Sequence, residues 1–219
     1  MSKPLVRSPL LITAYRNYLH STDAVGFAEA VESSYTVSTL VRLLSHGDTE
    51  LRCAAALALG TLGNGSILDD IGRALSDSDR GVRLVADDTF RLLSISTAAP
   101  IHQQHLLSAM HLVDGGRHDD ALEELELLTR RAPRYAEAHY QRGLCLRALG
   151  AHRAAGEAYA ACLWRCRFHY LAWIGLARCR IAEGSKTEAL TAFRRAVAIH
   201  PDSETARLAV RTLQRRLGG

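Results

Sequence analysis

The sequence predicts an all-α chain built from stacked helical hairpins, and three observations predict it. The first is a 34-residue period: Ala121, Ala155 and Ala189 are one period apart, as are Gly116, Gly150 and Gly184, then Ala109, Gly143 and Ala177, then Leu125, Tyr159 and Phe193. Small and bulky positions recurring at that spacing mark a helix–turn–helix array. The second is a 31-residue period in the N-terminal half, relating Leu44 to Leu75, Ser45 to Ser76, Asp48 to Asp79, Leu51 to Val82, Arg52 to Arg83 and Ala55 to Ala86. The third is composition. The 219 residues include only five prolines, are rich in Ala, Leu and Arg, and contain no alternating β-branched run that reads as a strand.

At 47% hydrophobic residues the chain can bury a core, which excludes a disordered polypeptide. Charge or glycine interrupts each apolar stretch well short of the roughly 20 residues needed to cross a bilayer. The short apolar piece Pro9–Thr13 is followed by Arg16, Asn17 and His20, so the beginning of the chain reads as a structural helix of a cytoplasmic protein and not as a signal peptide. The five cysteines, Cys53, Cys145, Cys162, Cys166 and Cys179, are then expected as free thiols. A net charge of +4 is milder than a dedicated nucleic-acid binder carries.

Taken in order, residues 1–36 are expected to form an N-terminal helical cap, with helices within 8–34 whose Phe27 and Val31 recur at helical spacing. Residues 37–98 hold the two shorter hairpins. In each, the Asp of the turn can accept from the free N–H groups of the second helix, and the Arg that follows can reach back to that turn or to the preceding repeat's Asp. The junction Ser94–Pro100 is too short for a free linker, so the two arrays are expected to stack into one solenoid. Residues 99–219 hold three hairpins, 102–135, 136–169 and 170–203, and a capping helix over 204–217. Gly116, Gly150 and Gly184 stand where a first helix must stop, because glycine accepts the left-handed conformation at a helix C-terminus. The alanines let backbones approach closely, and a larger residue there would overpack the contact by roughly 1–3 kcal/mol. Pro133 and Pro201 end the second helices of hairpins one and three, while Arg167 stands at that place in hairpin two. Ser203 can cap the last helix, and Arg207, Arg211, Arg215 and Arg216 give it a wet outer face.

The C-terminal pattern resembles the tetratricopeptide repeat family, most closely in hairpin three, where Trp173, Leu176, Ala177, Ala189, Phe193, Ala196 and Pro201 all occupy family positions. The 31-residue pair over residues 37–93 resembles short HEAT repeats of the type found in phycobilisome lyase-like proteins. Together the resemblances imply an α-solenoid of about two HEAT-like hairpins, three tetratricopeptide hairpins and a C-terminal capping helix. They imply a non-enzymatic scaffold without a cofactor. Its concave face would be built from the first helix of each tetratricopeptide hairpin: Gln103, Leu106 and Met110, then Tyr140, Gln141, Leu144 and Arg147, then Ile174, Arg178 and Ile181. Apolar with one aromatic and two arginines, this face suits a peptide or helix of another protein that carries an apolar side and an acidic group. Packing of the same face against the protein's own elements is the structural alternative. The Lys and Asn clamp with which tetratricopeptide co-chaperones hold a terminal carboxylate is absent, since Leu106, Met110, Gln141, Leu171 and Gly175 stand at those places.

The remaining candidates carry less. Cys162, Cys166 and His169 have ligand-like spacing, but Cys162 occupies a repeat core position and reads as a small buried hydrophobe, so no metal is expected. Glu123, Glu124 and Glu126 beside Arg130 and Arg131 read as a solvated face with helical ion pairs. Trp164 and Phe168 read as a plug for the turn that lacks proline, with an exposed contact site as the alternative. Two further readings are an accessory factor related to the chromophore lyases, and weak phosphate-backbone binding through the arginines of 207–216.

Overall fold

The computed structural model describes residues 10–63 and 65–218, and the chain divides into two units, the first ending at Leu93 and the second starting at Ser94. All regular elements among the described residues are helical, and no helix there is long and apolar enough to cross a membrane. The first two residues of the expected cap helix lie outside the described residues.

The first unit runs through α1 (Leu10–Ser21), α2 (Ala24–Ser34), α3 (Val37–His46), α4 (Thr49–Leu62), a 3-10 turn (Gly65–Ile67), α5 (Leu68–Ala74) and α6 (Arg80–Ser96). Side-chain caps start four of these helices. Asp23 accepts from Gly26 N–H, Thr36 from Thr39 N–H and Asp48 from Leu51 N–H. Asp79 accepts from Gly81 and Val82 N–H at 2.7 and 3.1 Å. Each such cap contributes about 1 kcal/mol. The helices α1 and α2 pack on α4, with Phe27 and Val31 buried and Tyr18 against Phe27 at 5.5 Å.

The 31-residue period is a structural equivalence. Leu44 and Leu75 are buried, as are Ala55 and Ala86, and Asp48 and Asp79 occupy matching caps. Arg52 Nη1 donates to the Gly47 carbonyl at 3.0 Å and Arg83 Nη1 to that of Ser78 at 3.2 Å, again 31 residues on. Each arginine thus serves its own turn. Arg52 also grips Asp77 with two hydrogen bonds of 2.9 Å, which links its hairpin to the following repeat's acid. The fold brings the start of α4 beside the α5–α6 turn, which puts Asp77 within reach.

The second unit comprises α7 (Pro100–Asp114), α8 (His118–Arg131), α9 (Ala136–Ala148), α10 (His152–Arg165), α11 (Tyr170–Ala182), α12 (Lys186–Ile199) and α13 (Glu204–Leu217). Consecutive helices pack pairwise, and the first helices of successive hairpins also meet, α7 with α9 and α9 with α11. The turns within hairpins share one geometry. Gly116, Gly150 and Gly184 have φ of 74°, 78° and 82°. The residue after each glycine donates to the carbonyl five back (Arg117 to Leu112, Ala151 to Leu146, Ser185 to Arg180) at 2.8–2.9 Å. This is the double-bonded helix end that a left-handed residue permits. Ala121, Ala155 and Ala189 are fully buried, and Leu125, Tyr159 and Phe193 are buried beside them.

Arg167 does not alter the turn in which it replaces proline. His169 N–H donates to Cys166 C=O at 3.1 Å, as Tyr135 does to Ala132 and Ser203 to His200 in the two turns that have proline. No plug is therefore required, and Trp164 does not act as one: it is 83% exposed, with the Arg165 guanidinium over its ring. Arg165 also donates to the Pro133 carbonyl, tying one turn between hairpins to the next.

Candidate functional site

The centre of the second unit is organised by one aromatic ring. Tyr159 extends from α10 and enters between α9 and α11, where Gly143 and Gly175 leave room for it. A methyl group on either glycine would lie 2.6 Å from Tyr159 Cε1, inside any tolerable contact. The ring is fully buried, and burial pushes the hydroxyl pKa up to about 12, with Arg147 of α9 and Arg178 of α11 pulling it the other way. Arg147 stands near the hydroxyl. The Tyr159 hydroxyl and Arg147 Nε are both buried polar atoms that lack a hydrogen-bond partner.

A second polar group sits at the start of α9. Glu137 is 7% exposed, accepts from Gln141 Nε2 at 2.8 Å and pairs with His169 Nε2 at 3.0 Å. The other ring nitrogen of His169 accepts from Ala172 N–H at 3.2 Å and so caps α11, which assigns the Nε2 proton to the Glu137 bond. Tyr140 lies on the His169 ring at 4.5 Å and 6.0 Å from Tyr159. A buried acid is tolerable only when it is paired and hydrogen-bonded, and here both requirements are met, by Gln141 of α9 and by His169 at the start of α11.

The tetratricopeptide repeat family matches residues 106–167 and 164–204 of the chain. The C-terminal unit carries tetratricopeptide repeats. No curated protein sequence matches the chain. Solved tetratricopeptide-like folds do. The Yersinia enterocolitica type III secretion chaperone SycD, in complex with a peptide of the translocator YopD, is 14% identical with a TM-score of 0.52, over 55% of this chain and 97% of that one. The first tetratricopeptide repeat of Spaghetti (RPAP3), bound to the HSP90 peptide SRMEEVD, is 15% identical with a TM-score of 0.52, over 54% of this chain and 94% of that one. At these identities the likeness is one of fold.

The tetratricopeptide unit distributes the ten expected contact residues unevenly. Three are taken up by the fold. Leu106 is fully buried in the core of the first hairpin, Ile174 is 6% exposed, and Gln141 is held by Glu137. Two more are engaged by neighbours: Gln103 Nε2 donates to the Ala98 carbonyl at 2.7 Å, and Tyr140 lies on His169. Met110, Leu144 and Arg147 are half-buried, and Arg178 and Ile181 are exposed. All five lie in the C-terminal halves of α7, α9 and α11, so the accessible part of the face is confined to that end. Sequence reasoning missed the Glu137–His169 pair. Its only signal was an acid and a histidine 32 residues apart, close to one repeat.

All five cysteines are buried, and none is joined in a disulfide. Cys162 is fully buried, and burial pushes its thiol well above the usual range, consistent with a packing role. Among the described residues no three His, Cys, Asp or Glu side chains gather as metal ligands would.

Proposed function

We propose that the tetratricopeptide unit is a non-enzymatic, cytoplasmic interaction scaffold that binds a segment of another protein along α7, α9 and α11. One observation carries this reading. Met110, Leu144 and Ile181 supply apolar surface, and Arg147 and Arg178 supply charge, at the same end of three adjacent helices. Apolar anchors with a few placed cations suit an amphipathic helix or extended peptide bearing an acidic residue. The peptides held by the chaperone and by Spaghetti in their own structures support the reading by analogy of fold. We also read α3–α6 as two short HEAT-like hairpins, on the support of the matching Asp caps and Arg-to-turn bonds.

The test is a paired charge reversal, Arg147→Glu with Arg178→Glu. Proteins retained from a cell extract by the wild-type chain should be lost, while the helical circular dichroism signal is unchanged. Equal retention by the variant refutes the groove reading.

A further inference from the structure

We infer that α8 of one copy of this chain docks antiparallel on α13 of a second copy. The contact goes beyond the peptide-binding reading, because neither Arg147 nor Arg178 belongs to it. Two depressions of about 210 and 630 Å³ lie between α7 and α8. Glu124 and Leu127 line both, Asp120 lines the larger and Arg131 the smaller. Asp120, Leu127 and Arg131 are exposed. Glu124 is half-buried: the Ser108 hydroxyl donates to its Oε1 at 3.4 Å, and its Oε2 has no hydrogen-bond partner. At the same repeat position the next two hairpins carry Ala158 and Ala192, both buried. An acid therefore stands where the array elsewhere closes over alanine.

Asp120, Glu124, Leu127 and Arg131 follow one another at steps of four, three and four, so they share one helix face about 16 Å long. The helix α13 carries Glu204, Leu208, Arg211 and Arg215 at the same steps, and all four are exposed. Laid antiparallel, the two faces complement each other at every step. Arg131 meets Glu204, Leu127 meets Leu208, Glu124 meets Arg211 and Asp120 meets Arg215. Laid parallel, Asp120 would meet Glu204 and Arg131 would meet Arg215, so like charges select the direction. Steps of four and three are also those at which packed helices interleave their side chains. Asp120 already accepts from Arg117 at 2.7 Å, and Arg130 also lines the larger depression. The acid that gains most from the incoming helix is thus Glu124, whose Oε2 lacks a donor that Arg211 would bring. Leu127 and Leu208 form the apolar centre, 38% and 59% exposed in the single chain. Two helices meeting over this length bury less than the roughly 1,200–2,000 Å² of a standard interface, so the association is weak.

Sedimentation equilibrium of the full chain, up to about 1 mM, tests the contact. The wild type should self-associate, and added salt should weaken it. Glu124→Arg and Arg211→Glu, each alone, set like charges across the contact and should raise the self-association Kd at least about tenfold. An equimolar mixture of these two variants restores opposite charges and should recover association, as should the double variant Glu124→Arg, Arg211→Glu. Circular dichroism checks that each variant is folded. Leu208→Asp, at an exposed position, should give the same loss, and it replaces Glu124→Arg if that variant does not fold. A wild type that stays monomeric overturns the inference and leaves this face to another protein or to solvent. Association that survives Arg211→Glu, or that the mixture fails to recover, overturns it too. Reversing Arg147 and Arg178 should leave self-association unchanged. If protein capture also ignores that reversal, the groove reading falls and this contact stands.

Discussion

Adding a single methyl group at Gly175 should destabilise the second unit, whereas the same addition at Gly156 should stabilise it. Both glycines are helical, so each gains about 1 kcal/mol of helix propensity on becoming alanine. Space decides the sign. At Gly156 the new carbon would meet Leu176 Cδ1 at 3.7 Å and Cys179 Cβ at 3.8 Å, which is ordinary contact. At Gly175 it would lie 2.6 Å from Tyr159 Cε1, so the ring would have to retreat by about 1 Å to restore a normal carbon–carbon distance. Retreat is blocked, because Gly143 on the far side leaves no more room than Gly175 does. Overpacking of this kind costs roughly 1–3 kcal/mol and forces backbone shifts as well. The expected net change is a loss of about 1–2 kcal/mol for Gly175→Ala and a gain of about 0.5–1 kcal/mol for Gly156→Ala. Urea unfolding reads both as shifts of midpoint at constant slope. The double variant Gly175→Ala, Tyr159→Leu should recover part of the loss, since the clash is pairwise. If Gly175→Ala is as stable as wild type, the wedge account is wrong.

Gly150→Ala should cost about 1–2 kcal/mol by a different route: nothing lies within 4 Å of the new carbon, so the whole effect is the strain of a φ of 78°, and it should be insensitive to any substitution at Tyr159. In the first unit, Arg52→Ala should cost about 1.5–3 kcal/mol by removing a two-bond grip on a largely buried acid. Burial opposes ionisation of Asp77, but hydrogen bonds from Arg52 and the Asp79 N–H overcome it and hold its pKa below the usual 3.8. A carboxyl with a depressed folded pKa stabilises above its unfolded value, and that contribution is lost as pH falls through the folded one. Acid unfolding followed below pH 4 should therefore be shallower in Arg52→Ala, and an unchanged acid limb would contradict this.

The parts of the fold that were legible share a cause. Gly116, Gly150 and Gly184 mark helix ends because a positive φ is a property of the residue itself. Ala121, Ala155 and Ala189 mark close approaches because a missing side chain is visible in any context. The Asp caps of α4 and α6 depend on a residue and its own next turn. The candidate site was legible only in outline. The first helices of the hairpins were expected to carry it, yet Leu106, Gln141 and Ile174 are taken up by the core or by Glu137. Position within a repeat states which side of a helix a residue is on. It does not state whether a neighbouring hairpin covers that side. Trp164 shows the converse error, an aromatic expected to fill a gap in a turn that has no gap.

The sequence by itself determined the helices, their ends and the spacing at which hairpins repeat, because these follow from local backbone preference and side-chain volume. Only the tertiary structure decided which groups meet between helices distant in the chain: Arg52 with Asp77, Glu137 with His169, and the Tyr159 ring with Gly143 and Gly175. Those encounters depend on where a side chain from one hairpin emerges relative to the next. That direction is set by packing, and a period along the chain does not encode it.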